Sequence, residues 1–159
     1  MKRLVVYYSL SGNTEEAAKK IAEQLGADLL KLETRKDMPK SFAARLFVGG
    51  GQVVRNYIPE LKPTEKDVGA YDEIILGSPI WNSKGVPAVN AFLQDKAAAE
   101  KVTALFFMSA GGDIRKGLAA ITTKLPNLKR SVSLIDKKYK ASMENDAKIG
   151  QFTAEIFNS

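Results

Sequence analysis

Apolar residues follow two patterns along the chain, short unbroken runs and stripes at helical spacing. Short runs are typical of strands buried on both faces, and stripes are typical of amphipathic helices. The runs predict strands at residues 3–8, 74–76 and 102–108. A second, more exposed strand is predicted at 28–32, where apolar residues alternate partly with polar ones, and a fifth at 131–136. The stripes predict helices at about 13–25 and 86–95, a third with Ile114, Leu118, Ile121 and Leu125 on one face, and a last one with Ile149, Phe152, Ile156 and Phe157 on one stripe.

The alternation of strands and helices predicts an α/β fold with a parallel sheet covered by helices on both faces. We expect a three-layer, doubly wound sheet of five strands in the order 2-1-3-4-5. Its switch point lies between the first and third strands, and ligands bind there, outside the carboxyl ends of the strands. Residues 36–70 fit no regular pattern beyond a short helix suggested by Phe42, Leu46 and Phe47. We interpret them as a solvated connection, with partial cover of the switch point as the alternative.

The composition excludes several kinds of catalytic and metal site, because the chain contains neither cysteine nor histidine. Their absence removes disulfides, a thiolate nucleophile, the common zinc sites and the Ser-His-Asp triad. Any chemistry is therefore expected to belong to a bound cofactor. No apolar stretch reaches the length of a membrane span, and the apolar run after Met1 is too short for a signal peptide. We expect a cytoplasmic protein without a membrane partner.

The formal net charge of +6 does not by itself indicate a nucleic-acid partner. The basic residues are scattered, and no basic stripe is interleaved with aromatic residues. A solvated basic surface is the favoured interpretation, and docking of an acidic protein or a small anion is the alternative. The most basic stretch contains Lys129, Arg130, Lys137, Lys138 and Lys140.

The first predicted strand runs into a hydroxyl-rich turn that opens a helix. This loop is Ser9-Leu10-Ser11-Gly12-Asn13-Thr14. Unpaired N–H groups and the helix dipole favour an anion at such a place, and three hydroxyls add donors. Because the loop has no Lys or Arg, it suits a phosphate that is held permanently. The alternative is an ordinary helix cap.

Two more loops are predicted at the same edge of the sheet. The third strand leads into Ser78-Pro79-Ile80-Trp81-Asn82, and the fourth into Ser109-Ala110-Gly111-Gly112-Asp113. Trp81, the single tryptophan, is a candidate for stacking on a flat ring, and the glycine pair allows close backbone approach. Tyr8 or Tyr57 could add a second ring. The alternatives are that Trp81 covers the core and that the glycines only form a turn.

With these motifs in this order, the chain resembles the flavodoxin family over essentially its whole length, as one domain spanning 1–159. The resemblance implies that residues 9–14 bind the phosphate of FMN. It implies that Pro79, Ile80, Trp81 and Asn82 line the flavin ring, with Ser109, Gly111 and Gly112 near its pyrimidine end. The predicted cofactor-binding set also includes their neighbours Ser78, Ala110 and Asp113.

The function implied by this resemblance is an FMN-binding electron carrier that serves a redox partner protein. The runner-up is an FMN-dependent NAD(P)H:quinone-type oxidoreductase of the same fold. In that enzyme, basic side chains would meet the nicotinamide cofactor, although each is more simply a surface charge. The candidates are Arg45, Arg55, Lys84 and Arg115. A third possibility is a flavin-free interaction module.

Overall fold

A computed structural model of the chain describes residues 1–36, 58–80, 86–111 and 113–158. The strands are β1 (Arg3–Tyr7), β2 (Asp28–Lys31), β3 (Glu73–Pro79), β4 (Val102–Ser109) and β5 (Arg130–Ile135). The helices are α1 (Asn13–Leu25), α2 (Pro87–Phe92), α3 (Lys96–Glu100), α4 (Arg115–Thr122) and α5 (Asn145–Phe157). Short 3₁₀ turns occupy Val68–Ala70 and Lys140–Glu144.

The five strands form one parallel sheet in the order β2-β1-β3-β4-β5, as predicted. Successive side chains of a strand point to opposite faces, so each strand contributes to two apolar clusters. One cluster, with Val6 and Leu76, is covered by α2, α3 and α4. The other, with Val5 and Ile75, is covered by α1 and α5. The predicted fold class is confirmed.

The helix predicted at 86–95 is confirmed as α2, but it ends earlier, at Phe92, and the helix that follows it was not predicted. Asp95 starts α3 by accepting hydrogen bonds from the N–H groups of Ala97 (3.0 Å) and Ala98 (3.2 Å). A side-chain cap of this kind satisfies N–H groups that a new helix leaves unpaired. The extended backbone of Asp95 separates the two helices.

The predicted stripe on the last helix is correct for three residues and wrong for Phe157. Ile156 is completely buried, whereas Phe157 is 54% exposed. Consecutive helical residues point about 100° apart, and here Ile156 faces the core while Phe157 turns away from it. The ring of Phe157 instead lies 5.0 Å from the guanidinium carbon of Arg3.

In the crossover between β2 and β3, the segment just after β2 is hydrogen-bonded to the segment that begins at residue 58. Thr34 and Leu61 form an antiparallel bridge. The N–H of Arg35 donates to the carbonyl of Glu60 (2.9 Å). The short helix suggested by Phe42, Leu46 and Phe47 lies outside the described residues, as does the question whether this stretch covers the switch point.

At the centre of the sheet, a glycine makes room for an aromatic ring. Gly77 of β3 pairs with Tyr7 of β1 on one side and with Phe106 of β4 on the other. The completely buried ring of Phe106 lies over the position that a Cβ on Gly77 would fill, with Cζ only 2.1 Å from it. The close approach of two strands therefore requires glycine here.

Candidate functional site

Hydrogen bonds between neighbouring strand ends bring the three predicted loops to one edge of the sheet. The N–H of Tyr8 donates to the carbonyl of Gly77 (3.2 Å), and the N–H of Ile80 donates to the carbonyl of Met108 (2.9 Å). Beyond them, the N–H of Asp136, just after β5, donates to Ser109 (2.9 Å). Since β1, β3 and β4 are adjacent, the loops that follow them meet at the carboxyl edge predicted from the topology.

The first loop turns into α1 through a left-handed residue. Gly12 has φ 92° and ψ −15°, and its N–H donates to the hydroxyl oxygen of Ser9 (3.1 Å). Its carbonyl accepts the first helical hydrogen bond, from the N–H of Glu16 (2.9 Å). The N–H groups of residues 13–15 therefore have no helical partner, which leaves them able to bind an anion.

Two polar side chains of this loop are buried. Asn13 is 9% exposed and Thr14 is 2% exposed. Among the described residues, the Oδ1 atom of Asn13 has no hydrogen-bond partner, and its Nδ2 donates to Ser11 Oγ over a long 3.4 Å. An amide N–H and a hydroxyl can donate to a phosphate oxygen, whereas the amide oxygen is an acceptor that a phosphate cannot satisfy. The N–H and hydroxyl donors of this loop fit the phosphate of a cofactor.

Carboxylates in the first turn of α1 are neutralised by lysines. Glu15 pairs with Lys31 (2.7 Å) and with Lys19 (2.9 Å), while Glu16 pairs with Lys137 (3.2 Å). Hydrogen bonds from Lys31 and Lys19 lower the pKa of Glu15. The lysine charges thus offset the repulsion that both carboxylates exert on an anion at the helix start.

The second loop is described as far as Ile80. Ser78 is completely buried, and its hydroxyl donates to the carbonyl of Pro79 (2.8 Å), so it holds the turn internally. Ile80 packs partly buried above the core, where a Cβ on Gly117 would come within 3.2 Å of its Cδ1. Trp81 and Asn82 lie outside the described residues, so their proposed contacts with a ring stay predictions.

In the third loop, Ser109 is buried, and Ala110, Gly111 and Asp113 are exposed. Arg115 forks onto the Asp113 carboxylate, with Nε 3.0 Å from Oδ1 and Nη2 2.7 Å from Oδ2. These bonds, with the N–H of Arg115 on the same oxygen, lower the pKa of Asp113 to about 2. Gly112 lies outside the described residues.

Of the four basic residues considered for a nicotinamide cofactor, only Arg115 is described. Its guanidinium is engaged by Asp113. Arg45, Arg55 and Lys84 lie outside the described residues. Tyr8 is 7% exposed and packs in the core, so it does not offer a stacking ring. The other candidate ring, Tyr57, also lies outside them.

Beside Asn13, a cleft of about 40 Å³ separates α1 from α5, and sequence reasoning missed it. Lys20 and Asp146 join across it (2.6 Å), and Lys137 and Asn145 also line it. These residues come from distant parts of the chain, so no sequence pattern could have indicated the cleft.

In the parts of the chain that the structure describes, no cluster of acidic side chains is arranged to hold a metal ion. None of the described helices combines the length and the apolar character needed to cross a bilayer.

Comparison with known proteins gives one family. A sequence model described as flavodoxin matches residues 2–148. A solved FMN complex of a flavoprotein from Lactobacillus acidophilus NCFM is 24% identical, with a TM-score of 0.70 over 92% of this chain and 97% of that one. The NMR structure of the apo-form from the same organism is 25% identical, with a TM-score of 0.61 over 86% and 93%. A flavodoxin from the domain Archaea is 16% identical, with a TM-score of 0.58 over the full length of both chains. A search of curated proteins finds no match.

Proposed function

Because this chain belongs to the flavodoxin family, we propose that it binds FMN at the carboxyl edge of its sheet and carries electrons between redox proteins. When bound, FMN would supply redox chemistry that the side chains of this protein lack, since it contains neither cysteine nor histidine. The task of the protein is then to hold the cofactor, to exclude water from its ring and to place it near a partner.

The observation that carries this proposal is the structure of the first loop. Gly12 turns the chain so that the N–H groups of residues 13–15 have no helical partner, and the Nδ2 of buried Asn13 beside them donates only one long hydrogen bond, to Ser11 Oγ (3.4 Å). A buried polar group without a partner costs free energy unless a ligand satisfies it. A phosphate accepts hydrogen bonds from N–H, amide and hydroxyl groups, which are the donors collected here.

The remaining site residues have proposed roles that follow from their places in the loops. Ser9, Leu10, Ser11 and Thr14 would complete the phosphate loop, with Leu10 contributing its backbone because its side chain packs on the core. Pro79, Ile80, Trp81 and Asn82 would line the ring. The exposed backbone of Ala110 and Gly111, together with Gly112 and Asp113, would form its other wall. Ser78 and Ser109, both buried, would support these walls.

Titration with FMN and with riboflavin, followed by quenching of flavin fluorescence, tests the proposal. Riboflavin lacks the phosphate, so comparing the two ligands isolates the contribution of the first loop. Asn13→Asp places a carboxylate beside the phosphate, and we expect it to weaken FMN binding about tenfold or more while changing riboflavin binding little. Asn90→Asp is the matched control, because it makes the same isosteric change on α2, away from the loop.

A protein that leaves the fluorescence of excess FMN unchanged would overturn the proposal. A second assay separates carrier from reductase. A carrier stays inactive when NAD(P)H and a quinone are added without another reductase, whereas steady NAD(P)H oxidation under these conditions would make the protein an enzyme. Trp81→Ala, measured in the same titration, tests the proposed stacking, and unchanged affinity would remove Trp81 from the site.

A further inference from the structure

The positive charge of this protein is concentrated in one part of its fold. Residues 114–141 contain eight Lys and Arg and a single acidic residue, Asp136. The whole chain has a formal net charge of +6, so the rest of it is close to neutral and slightly acidic. This basic segment comprises α4, the edge strand β5 and the turn that follows β5.

Most cations of this segment have no carboxylate partner, whereas several elsewhere in the described chain do. Lys19, Lys31 and Lys66 are each paired with Glu or Asp. Among the described residues, the basic segment has six cations without such an ion pair, which we call the basic face. They are Lys116, Lys124, Lys129, Arg130, Lys138 and Lys140.

Part of the basic face lies beside the proposed cofactor site. Lys116 is in the first turn of α4, directly after the third loop, and Lys138 follows Asp136, whose N–H donates to Ser109. The neighbouring Lys137 reaches across to Glu16 in the first turn of α1. Lys138 and Lys140 are therefore placed at the edge of the sheet where a partner must approach for electron transfer.

The same turn exposes apolar surface between its lysines. Tyr139 is 41% exposed, with the ammonium of Lys138 at 5.0 Å from its ring centroid, and Met143 is 81% exposed. Tyrosine and methionine are enriched at protein–protein interfaces. The combination of unpaired lysines with exposed Tyr139 and Met143 suits a protein surface that offers carboxylates around an apolar centre.

We propose that the part of the basic face at the carboxyl edge of the sheet, formed by Lys116, Lys138 and Lys140, is the docking surface for an acidic redox protein. This proposal rests on the proposed carrier function, because it names the chemistry of the partner and the side from which it approaches. Carboxylates of the partner would steer it toward the carboxyl edge of the sheet through long-range attraction.

The test compares two double variants that change the net charge equally. Lys138→Glu/Lys140→Glu reverses the charge of two side chains in the turn beside the site. Lys36→Glu/Lys96→Glu reverses the charge of two side chains outside the basic segment that also lack ion pairs in the described structure. An acidic ferredoxin in its reduced form serves as the probe. Stopped-flow absorption gives the second-order rate constant for electron transfer to each FMN-loaded protein, at low and high ionic strength.

We expect the first double variant to lower the rate constant about tenfold at low ionic strength. We expect the control to lower it less than about twofold, and added salt to remove the difference. Dithionite should reduce the bound FMN completely in all three proteins. Equal rate constants with ferredoxin, or an equal loss in both variants, would overturn the docking proposal.

An NMR experiment on the FMN-free protein keeps this result separate from the cofactor assignment. Oxidised ferredoxin should perturb amide signals of the turn after β5 and of the start of α4, whether or not the protein binds FMN. Failure of FMN binding with these perturbations present would contradict the proposed function alone. Larger perturbations of the same amides by single-stranded DNA or by phosphatidylserine vesicles would overturn the docking proposal in favour of those ligands.

Discussion

Replacing Gly77 by alanine tests how tightly the central strands are packed. The added Cβ would lie 2.1 Å from Cζ of Phe106 and 2.7 Å from both Cε atoms. Carbon atoms that are not bonded prefer separations of about 3.5–4.0 Å, so the overlap exceeds an ångström. Phe106 is completely buried and has no solvent into which its ring can turn. Overpacking of this kind costs about 1–3 kcal/mol, and this overlap places Gly77→Ala near the upper limit.

Urea unfolding followed by far-UV circular dichroism measures this loss. We expect the free energy of unfolding to fall by about 3 kcal/mol in Gly77→Ala. The smaller side chain of Phe106→Leu relieves the overlap, so the double variant should lose less than the sum of the two single variants, by about 1–2 kcal/mol.

Gly150→Ala is the matched control for this experiment. Gly150 lies within α5, and a Cβ there would meet nothing within 4 Å. Alanine should therefore raise the free energy of unfolding by about 0.5–1 kcal/mol. A loss below about 1 kcal/mol in Gly77→Ala, or strict additivity with Phe106→Leu, would refute the packing argument.

Three further substitutions probe the loops and the edge strand. Gly12→Ala should cost about 1–2 kcal/mol in urea unfolding, because φ is 92° while space for a Cβ is free; an unchanged midpoint would contradict this. Arg115→Ala should raise the pKa of Asp113 from about 2 toward 3.8 in a carboxyl NMR titration. The native pair stabilises the fold above pH 3.8, and this stabilisation is lost as the pH falls through 2. An unchanged pKa of Asp113 in the variant would exclude the pairing. Asn145→Ala removes both side-chain hydrogen bonds to the backbone of Ile135 (2.9 and 2.7 Å). It should lower the free energy of unfolding by about 1–3 kcal/mol and speed hydrogen exchange of the Ile135 amide. Unchanged exchange would show that these bonds contribute little.

The sequence predicted the central strands well because β1, β3 and β4 are buried on both faces. Runs such as Ile74-Ile75-Leu76 are hydrophobic at every position, and their alternation with helical stripes allows few topologies. The strand order then predicts which loops meet, without any knowledge of side-chain contacts. Membership in the flavodoxin family is confirmed by the match over residues 2–148.

The features that the sequence did not predict depend on individual side chains or on contacts between residues far apart in the chain. The short helix α3, which Asp95 caps, was not predicted, because the apolar positions Val89, Phe92 and Leu93 indicate only α2. Phe157 was placed on the core stripe, but Ile156 takes the buried position and Phe157 turns outward. The pairing of Lys20 with Asp146 joins residues that only the finished fold brings together.

The sequence indicated the basic stretch but not how much of its charge stays unpaired. The sequence shows a basic stretch near Lys137 and Lys138, but it does not show which cations find carboxylate partners. Lys137 does, through Glu16 of α1, while Lys138 does not. The unpaired charge of a surface can be assigned only when the ion pairs are known, and the ion pairs are known only from the tertiary structure.

The contact between α1 and α5 has a consequence for the order of folding. These helices cover the same face of the sheet, and Thr153 of α5 donates a hydrogen bond to Gln24 of α1 (2.6 Å), yet almost all other elements lie between them in the chain. During synthesis from the amino end, the face that contains Val5, Ile75 and Phe106 stays partly uncovered until α5 has emerged. Closing such long-range contacts is slow, and uncovered apolar surface favours aggregation. This half of the core is therefore where a nascent chain would depend most on a chaperone, and pulse-labelled hydrogen exchange should find it protected last.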